Sequence, residues 1–101
     1  MIARIWRGAV ATADADDYAA YLDETGVAEY RATPGNEGVW TLRRDRSDGT
    51  TEFVMFTLWT SMDAVRAFAG DDPERAVFYP EDDRFLVERE ERVTHYDVAA
   101  R

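Results

Sequence analysis

The chain has 101 residues, 46% of them hydrophobic and 13% aromatic, with a formal net charge of −9. That is the size of one ordinary domain with material for a core, and no run approaches the roughly 18 consecutive apolar residues of a membrane span. The negative balance argues against nucleic acid, and the absence of cysteine with a single histidine excludes disulfides, thiolate nucleophiles and a multi-His metal site within one subunit.

All the cations are arginine, and lysine is absent. An acidic, lysine-free surface stays soluble where salt screens its repulsion, so adaptation to high salt is one explanation. A GC-rich genome favouring arginine codons is the other. Unfolding midpoints measured against KCl separate them: stability climbs steeply with KCl under the first and stays flat under the second.

Residues Ile2 to Val10 alternate, contain no proline and lack the apolar h-region of a signal peptide, which predicts a first strand and a cytoplasmic protein. Thr12 or Asp14 then caps a helix with an acidic first turn, and Ala15, Tyr18, Ala19 and Leu22 form one buried stripe. Gly26 ends or kinks it, with a short turn from Val27 to Thr33 before the Pro34-Gly35-Asn36 loop. Val39 to Asp45 is the second strand, Ser47-Asp48-Gly49 a hairpin connection, and Thr51 to Thr60 the third strand. Ser61 caps a second helix bearing Met62, Val65, Phe68 and Ala69 on one side, and Gly70 stops it. Asp72-Pro73 opens a short helix through Val77, Pro80 closes it, and a loop at Glu81-Asp82-Asp83 leads to a last strand over Val87 to Val98.

This order predicts an α+β, ferredoxin-like βαββαβ domain over residues 1–98, followed by a frayed tail at 99–101. Its four-stranded antiparallel sheet has order 4-1-3-2, with both helices on one face. Phe53 to Trp59 is apolar on both sides of the strand, which indicates cover on both faces. The open face of such a sheet measures roughly 450 Å², a size that marks an interface. A two-fold homodimer with sheets packed face to face is the economical solution, the alternative being a monomer with a strongly hydrophobic central strand.

A cavity then belongs on the helix-covered face. Arg4, Trp6, Arg7, Thr57, Trp59, His95 and Tyr96 lie near the sheet centre, with register deciding which share a face, and Tyr79 follows the second helix where it can close one end. His95 titrates near neutral pH and is the candidate general base, or else an edge-strand histidine satisfied by a hydrogen bond. Arg4 and Arg7 are candidate cations for an anionic substrate, or partners in ion pairs. Trp6 and Trp59 are candidate walls of an aromatic pocket, or core. The groups Asp71, Asp72, Glu74 and Glu81, Asp82, Asp83 lack the pattern of a calcium loop and read as solvated charge. No glycine loop for a nucleotide phosphate is present.

Met1 to Gly8, Thr33-Pro34-Gly35-Asn36, Leu58 to Val65, Phe78-Tyr79-Pro80-Glu81-Asp82 and Thr94 to Val98 together resemble the antibiotic biosynthesis monooxygenase family. The resemblance implies a dimeric α+β barrel of ferredoxin-like subunits. Some members oxygenate polycyclic phenols or quinols with O₂ and no cofactor, others bind and degrade heme, and many have no known activity. For this chain it implies a cofactor-independent monooxygenase acting on a small aromatic molecule. Arg4, Arg7 and His95 would supply the electrostatics, and Trp6, Trp59, Tyr79, Tyr96 and Thr57 the substrate contacts. The heme-degrading pattern departs at three places: its strand-one Asn falls near Arg7, its second-helix Trp near Phe68, and the following His near Phe78. The other reading is a non-catalytic dimeric domain that binds a small aromatic metabolite or serves as a scaffold.

Overall fold

A computed structural model describes residues Met1–Arg101. Strand β1 (Ile2–Ala11) occupies the middle of an antiparallel sheet, and a 3₁₀ turn at Thr12–Asp14 leads to helix α1 (Ala15–Leu22). Asp14 holds the N-cap position without a side-chain cap bond, and the Thr12 hydroxyl instead accepts from Thr51 Oγ1 at 3.0 Å. Ala15, Tyr18 and Leu22 are the buried stripe of α1, as the spacing predicts. Gly26 does not end the helix. The backbone widens into a π turn over Asp23–Val27 and continues as α2 (Ala28–Ala32). The Thr25 hydroxyl donates to the Tyr21 carbonyl at 2.8 Å, the kind of back-bond that bends helices.

Strand β2 (Asn36–Asp45) starts three residues earlier than the sequence suggests, and β3 (Thr50–Trp59) follows across the hairpin. Gly35 has φ +92°, and a Cβ there would sit 2.5 Å from Ala64 Cβ, so glycine lets this loop close against helix α3 (Met62–Ala69). The ends of α3 follow the prediction: Ser61 Oγ accepts from Ala64 N at 3.2 Å, and Gly70 at φ +89° stops the helix.

The short helix expected from Asp72-Pro73 to Val77 does not form. Ala76 N donates to Glu91 O, Val93 N donates to Glu74 O, and Arg75 bridges Arg92 antiparallel. Backbone groups that a helix would use internally are thus spent on a distant segment. The same pairing splits the expected last strand in two. It runs as β4 (Leu86–Arg89) and β5 (Thr94–Asp97), with Glu90–Val93 turned aside between them and a one-turn helix α4 (Asp82–Phe85) ahead.

Both last segments pair with β1, so the sheet order β2-β3-β1-β4 is the predicted ferredoxin-like 4-1-3-2 read from the other edge. Register places Ile2, Arg4, Trp6 and Val10 beside Trp59, Thr57, Met55 and Thr51 on the helix-covered face. There Tyr30, Phe68 and Trp59 form one aromatic cluster, with Tyr30 and Phe68 ring centroids 4.4 Å apart. Tyr18 joins Phe53 and Phe85 at 5.1 and 5.3 Å in another. The opposite face carries Ile5, Val54, Phe56, Trp40, Leu42 and Tyr96, and the last three are 46%, 49% and 53% exposed. No helix is long and apolar enough to cross a membrane.

Trp59 is fully buried and donates its indole N–H to Thr57 Oγ1 at 2.8 Å. Trp59→Ala should therefore cost about 3–5 kcal/mol in urea unfolding. Gly26→Ala should gain roughly 0.5–1 kcal/mol, because its backbone is helical and the new Cβ meets the Tyr30 and Tyr79 rings at ordinary contact distances of 3.6 and 3.7 Å.

Candidate functional site

A cavity lies between the covered sheet face, the α1–α2 helix and the irregular strap Val77–Glu81 that precedes α4. Tyr18, Leu22, Gly26 and Tyr30 reach it from the helix, Arg4, Trp6 and Met55 from the sheet, and Phe78, Tyr79 and Asp82 from the strap and α4. Its enclosed volume is about 20 Å³, room for a water or two.

Arg4 is the unusual group here. It is 2% exposed, and none of the ion pairs includes it. Its Nη2 donates to the Arg75 carbonyl at 3.2 Å, its guanidinium carbon lies 5.4 Å from the centre of the Phe68 ring, and its Nε has no partner. Burial pulls its pKa below the usual arginine value, and the Tyr30 phenol acts the other way. A buried cation without a carboxylate is costly, and an anion entering the cavity would relieve that cost.

His95 faces Arg4 directly across the β1–β5 register and so shares its side of the sheet, but it is not a cavity wall. Its Nε2 is buried and unpartnered. Burial first, and then the positive charge of Arg4, push its pKa below 6.5, with Glu74 opposing.

The structure separates the other sequence candidates. Trp6 and Tyr79 line the cavity: the Trp6 indole N–H donates to Glu90 O at 2.9 Å, and the Tyr79 hydroxyl bonds to Glu29. Thr57 and Trp59 lie on the covered face but belong to the core beside it, with Thr57 Oγ1 donating to Arg4 O at 3.3 Å. Arg7 and Tyr96 are on the wrong face for this cavity. Arg7 pairs with Val54 and Tyr96 with Ala3, which turns both to the open side, and Arg7 N donates to Glu90 Oε1 at 2.9 Å.

Asp82 corrects the expectation of solvated charge. Glu81 and Asp83 are exposed, whereas Asp82 is 4% exposed and borders the cavity. Its Oδ2 accepts from Tyr79 N at 2.6 Å and its Oδ1 from the Tyr18 hydroxyl at 3.4 Å. Burial raises its pKa above the ordinary carboxylate value, against the lowering effect of those two bonds and of Arg89. Only its place one residue into a turn, three before buried Phe85, sets it apart in the sequence.

No family model matches the chain, and no curated protein matches it in sequence. Solved structures do. A Bacillus cereus protein assigned as an antibiotic biosynthesis monooxygenase superposes with a TM-score of 0.70 at 13% identity, over 99% of this chain and 94% of that one. Rv0793 of Mycobacterium tuberculosis gives 0.62 at 20% identity over 99% and 96%. A MhuD variant with two manganese protoporphyrin IX bound per active site gives 0.61 at 18% over 100% and 97%. The fold is that of the antibiotic biosynthesis monooxygenases.

At such identities the likeness carries the fold, and chemistry has to be read from the side chains. A porphyrin finds no histidine ligand in this cavity, since the only histidine of the chain is not among its walls.

His95 gives a pH signature. Its folded pKa is depressed, so the unfolded chain binds more protons between the two values, and stability falls as pH drops through about 6.5. The urea midpoint should decline from pH 7.5 to pH 5.5, and His95→Gln should remove part of that decline.

Proposed function

We propose that the chain is a cofactor-independent monooxygenase that oxidises a small phenol or quinol with O₂, with Arg4 as the cation that favours the substrate anion. The observation carrying this reading is the buried guanidinium of Arg4, free of any carboxylate and bordering an aromatic cavity. A phenolate beside it is stabilised where water is excluded, and an electron-rich anion passes an electron to O₂. For a phenol with a free ring C–H, one oxygen atom ends as a quinone carbonyl. The other leaves as water with the two hydrogens. Trp6, Phe78 and Tyr79 supply the apolar walls that hold a ring. Since the cavity encloses only about 20 Å³, a ring enters only as the Val77–Glu81 strap shifts outward, with Phe78 and Tyr79 remaining its outer wall and Asp82 moving with them.

Oxygen uptake over a hydroquinone panel tests this. Arg4→Met should lower kcat/KM by about 100-fold, in the range expected for loss of a charge-stabilising group. The same variant should be as stable as the parent or up to about 2 kcal/mol more stable, because it removes an unpaired buried charge. Arg7→Ala should leave turnover unchanged. Uptake on no member of the panel would sink the enzyme reading.

The small cavity favours a second reading, a non-catalytic domain that binds an aromatic metabolite or acts as a scaffold. Under it, ligand binds or fails to bind, and no substrate turns over.

We also propose a homodimer through the open sheet face, where Trp40 and Leu42 stand about half exposed beside Phe56 and Val54, and Tyr96 about half exposed on the far side of β1. Light scattering at micromolar concentration should give twice the mass of 11.5 kDa, and Phe56→Asp should return the single-chain mass.

A further inference from the structure

The cavity has two polar ends. Arg4 pairs with Thr57 on β3, whereas the Tyr18 ring, whose hydroxyl donates to Asp82, meets Phe53 edge to face. Thr57 and Phe53 are four residues apart on one strand, about 13 Å at the level of the sheet. Between these ends the walls are apolar: Trp6, Leu22, Met55, Phe78 and Val93. The cationic end has an unsatisfied Nε donor and no counter-ion. The anionic end is a buried carboxylate whose bond from Tyr18 is long, at 3.4 Å, so Oδ1 retains capacity for a better donor. Its cationic neighbour, Arg89, is held by Asp83 at 2.7 Å and by Glu91 at 3.5 Å.

We propose that Asp82 is the second pole of the site and that its ligand is a two-ended aromatic molecule, with an anionic oxygen toward Arg4 and a hydroxyl at the far side of the ring donating to Asp82. This rests on reading the cavity as a ligand site, and it narrows the phenols and quinols to those with oxygen at both ends. The two poles are complementary to such a molecule and to neither half alone. An anion without the hydroxyl leaves the Asp82 carboxylate unimproved. A neutral phenol leaves Arg4 without a counter-charge. Ring positions matter as much as charge, because adjacent groups cannot reach both poles.

Isothermal titration calorimetry of the wild-type protein with 4-hydroxybenzoate, benzoate, phenol and 2-hydroxybenzoate tests the proposal. The expected result is that 4-hydroxybenzoate binds about ten-fold or more tightly than each of the other three, the difference one charge-assisted hydrogen bond makes. Asp82→Asn should erase its advantage over benzoate while leaving benzoate's own affinity unchanged. Gly26→Ala, whose added Cβ projects between Tyr30 and Tyr79 at the cavity wall, should weaken 4-hydroxybenzoate and so locate the binding. Equal affinities for benzoate and 4-hydroxybenzoate in the wild type would overturn the two-ended site, as would binding of none of the four. The wild-type comparison stands even if Asp82→Asn fails to fold. Oxygen uptake on phenols that carry a single oxygen would overturn the second pole and leave the oxygenase reading intact.

Discussion

An arginine side chain held out of water with no carboxylate beside it is the constraint around which this molecule is arranged. Taking a guanidinium into a protein interior costs several kcal/mol unless hydrogen bonds and counter-charge offset it. Arg4 receives one carbonyl, from Arg75, and a ring face, from Phe68. The carbonyl is available because the segment around Arg75 runs extended against Glu91–Val93 instead of coiling into a helix. One irregular stretch therefore does three things: it satisfies Arg4 in part, it breaks the last strand, and it carries the strap that roofs the cavity. Each would be lost had Asp72 to Val77 formed the helix its local sequence favours.

That stretch marks the limit of what the sequence tells. The strand and helix order, the Ser61 cap and the Gly70 stop are legible because each depends on residues within a few positions of one another. The stretch Glu74–Ala76 is not, since its hydrogen-bond partners lie 15 to 19 positions further along the chain. Parity was legible and decides the site. Arg4 and Arg7 are three apart on one strand, and His95 and Tyr96 are adjacent on another, so within each pair the two side chains must point to opposite faces. Once Arg4 is inside, Arg7 is outside. What the strand pattern does not supply is which parity faces the helices, and that comes from pairing Arg4 with Thr57 and His95.

Asp82 was hidden for another reason. In sequence it is one of three consecutive carboxylates, set apart from its neighbours only by its spacing from Phe85. The turn that starts α4 directs Glu81 and Asp83 outward and Asp82 inward, where Tyr18 and the Tyr79 amide receive it. A carboxylate and a guanidinium thus share one small cavity without forming an ion pair, each left with hydrogen-bonding capacity that the chain itself does not use.

The wide turn at Asp23–Val27 has a consequence for the angular phase of the helix. Tyr18, Leu22, Gly26 and Tyr30 all face the cavity at steps of four. In an unbroken α-helix each such step drifts by about 40°, so Tyr30 would stand roughly a third of a circle away from Tyr18. A π turn holds more residues per revolution and takes back part of that drift. It acts as a one-residue insertion absorbed without a break. Deleting a single residue there would restore regular coiling and leave Tyr30 eleven positions after Tyr18, a net turn of about 20°, so that it still faces Arg4 and every strand of the sheet stays in register.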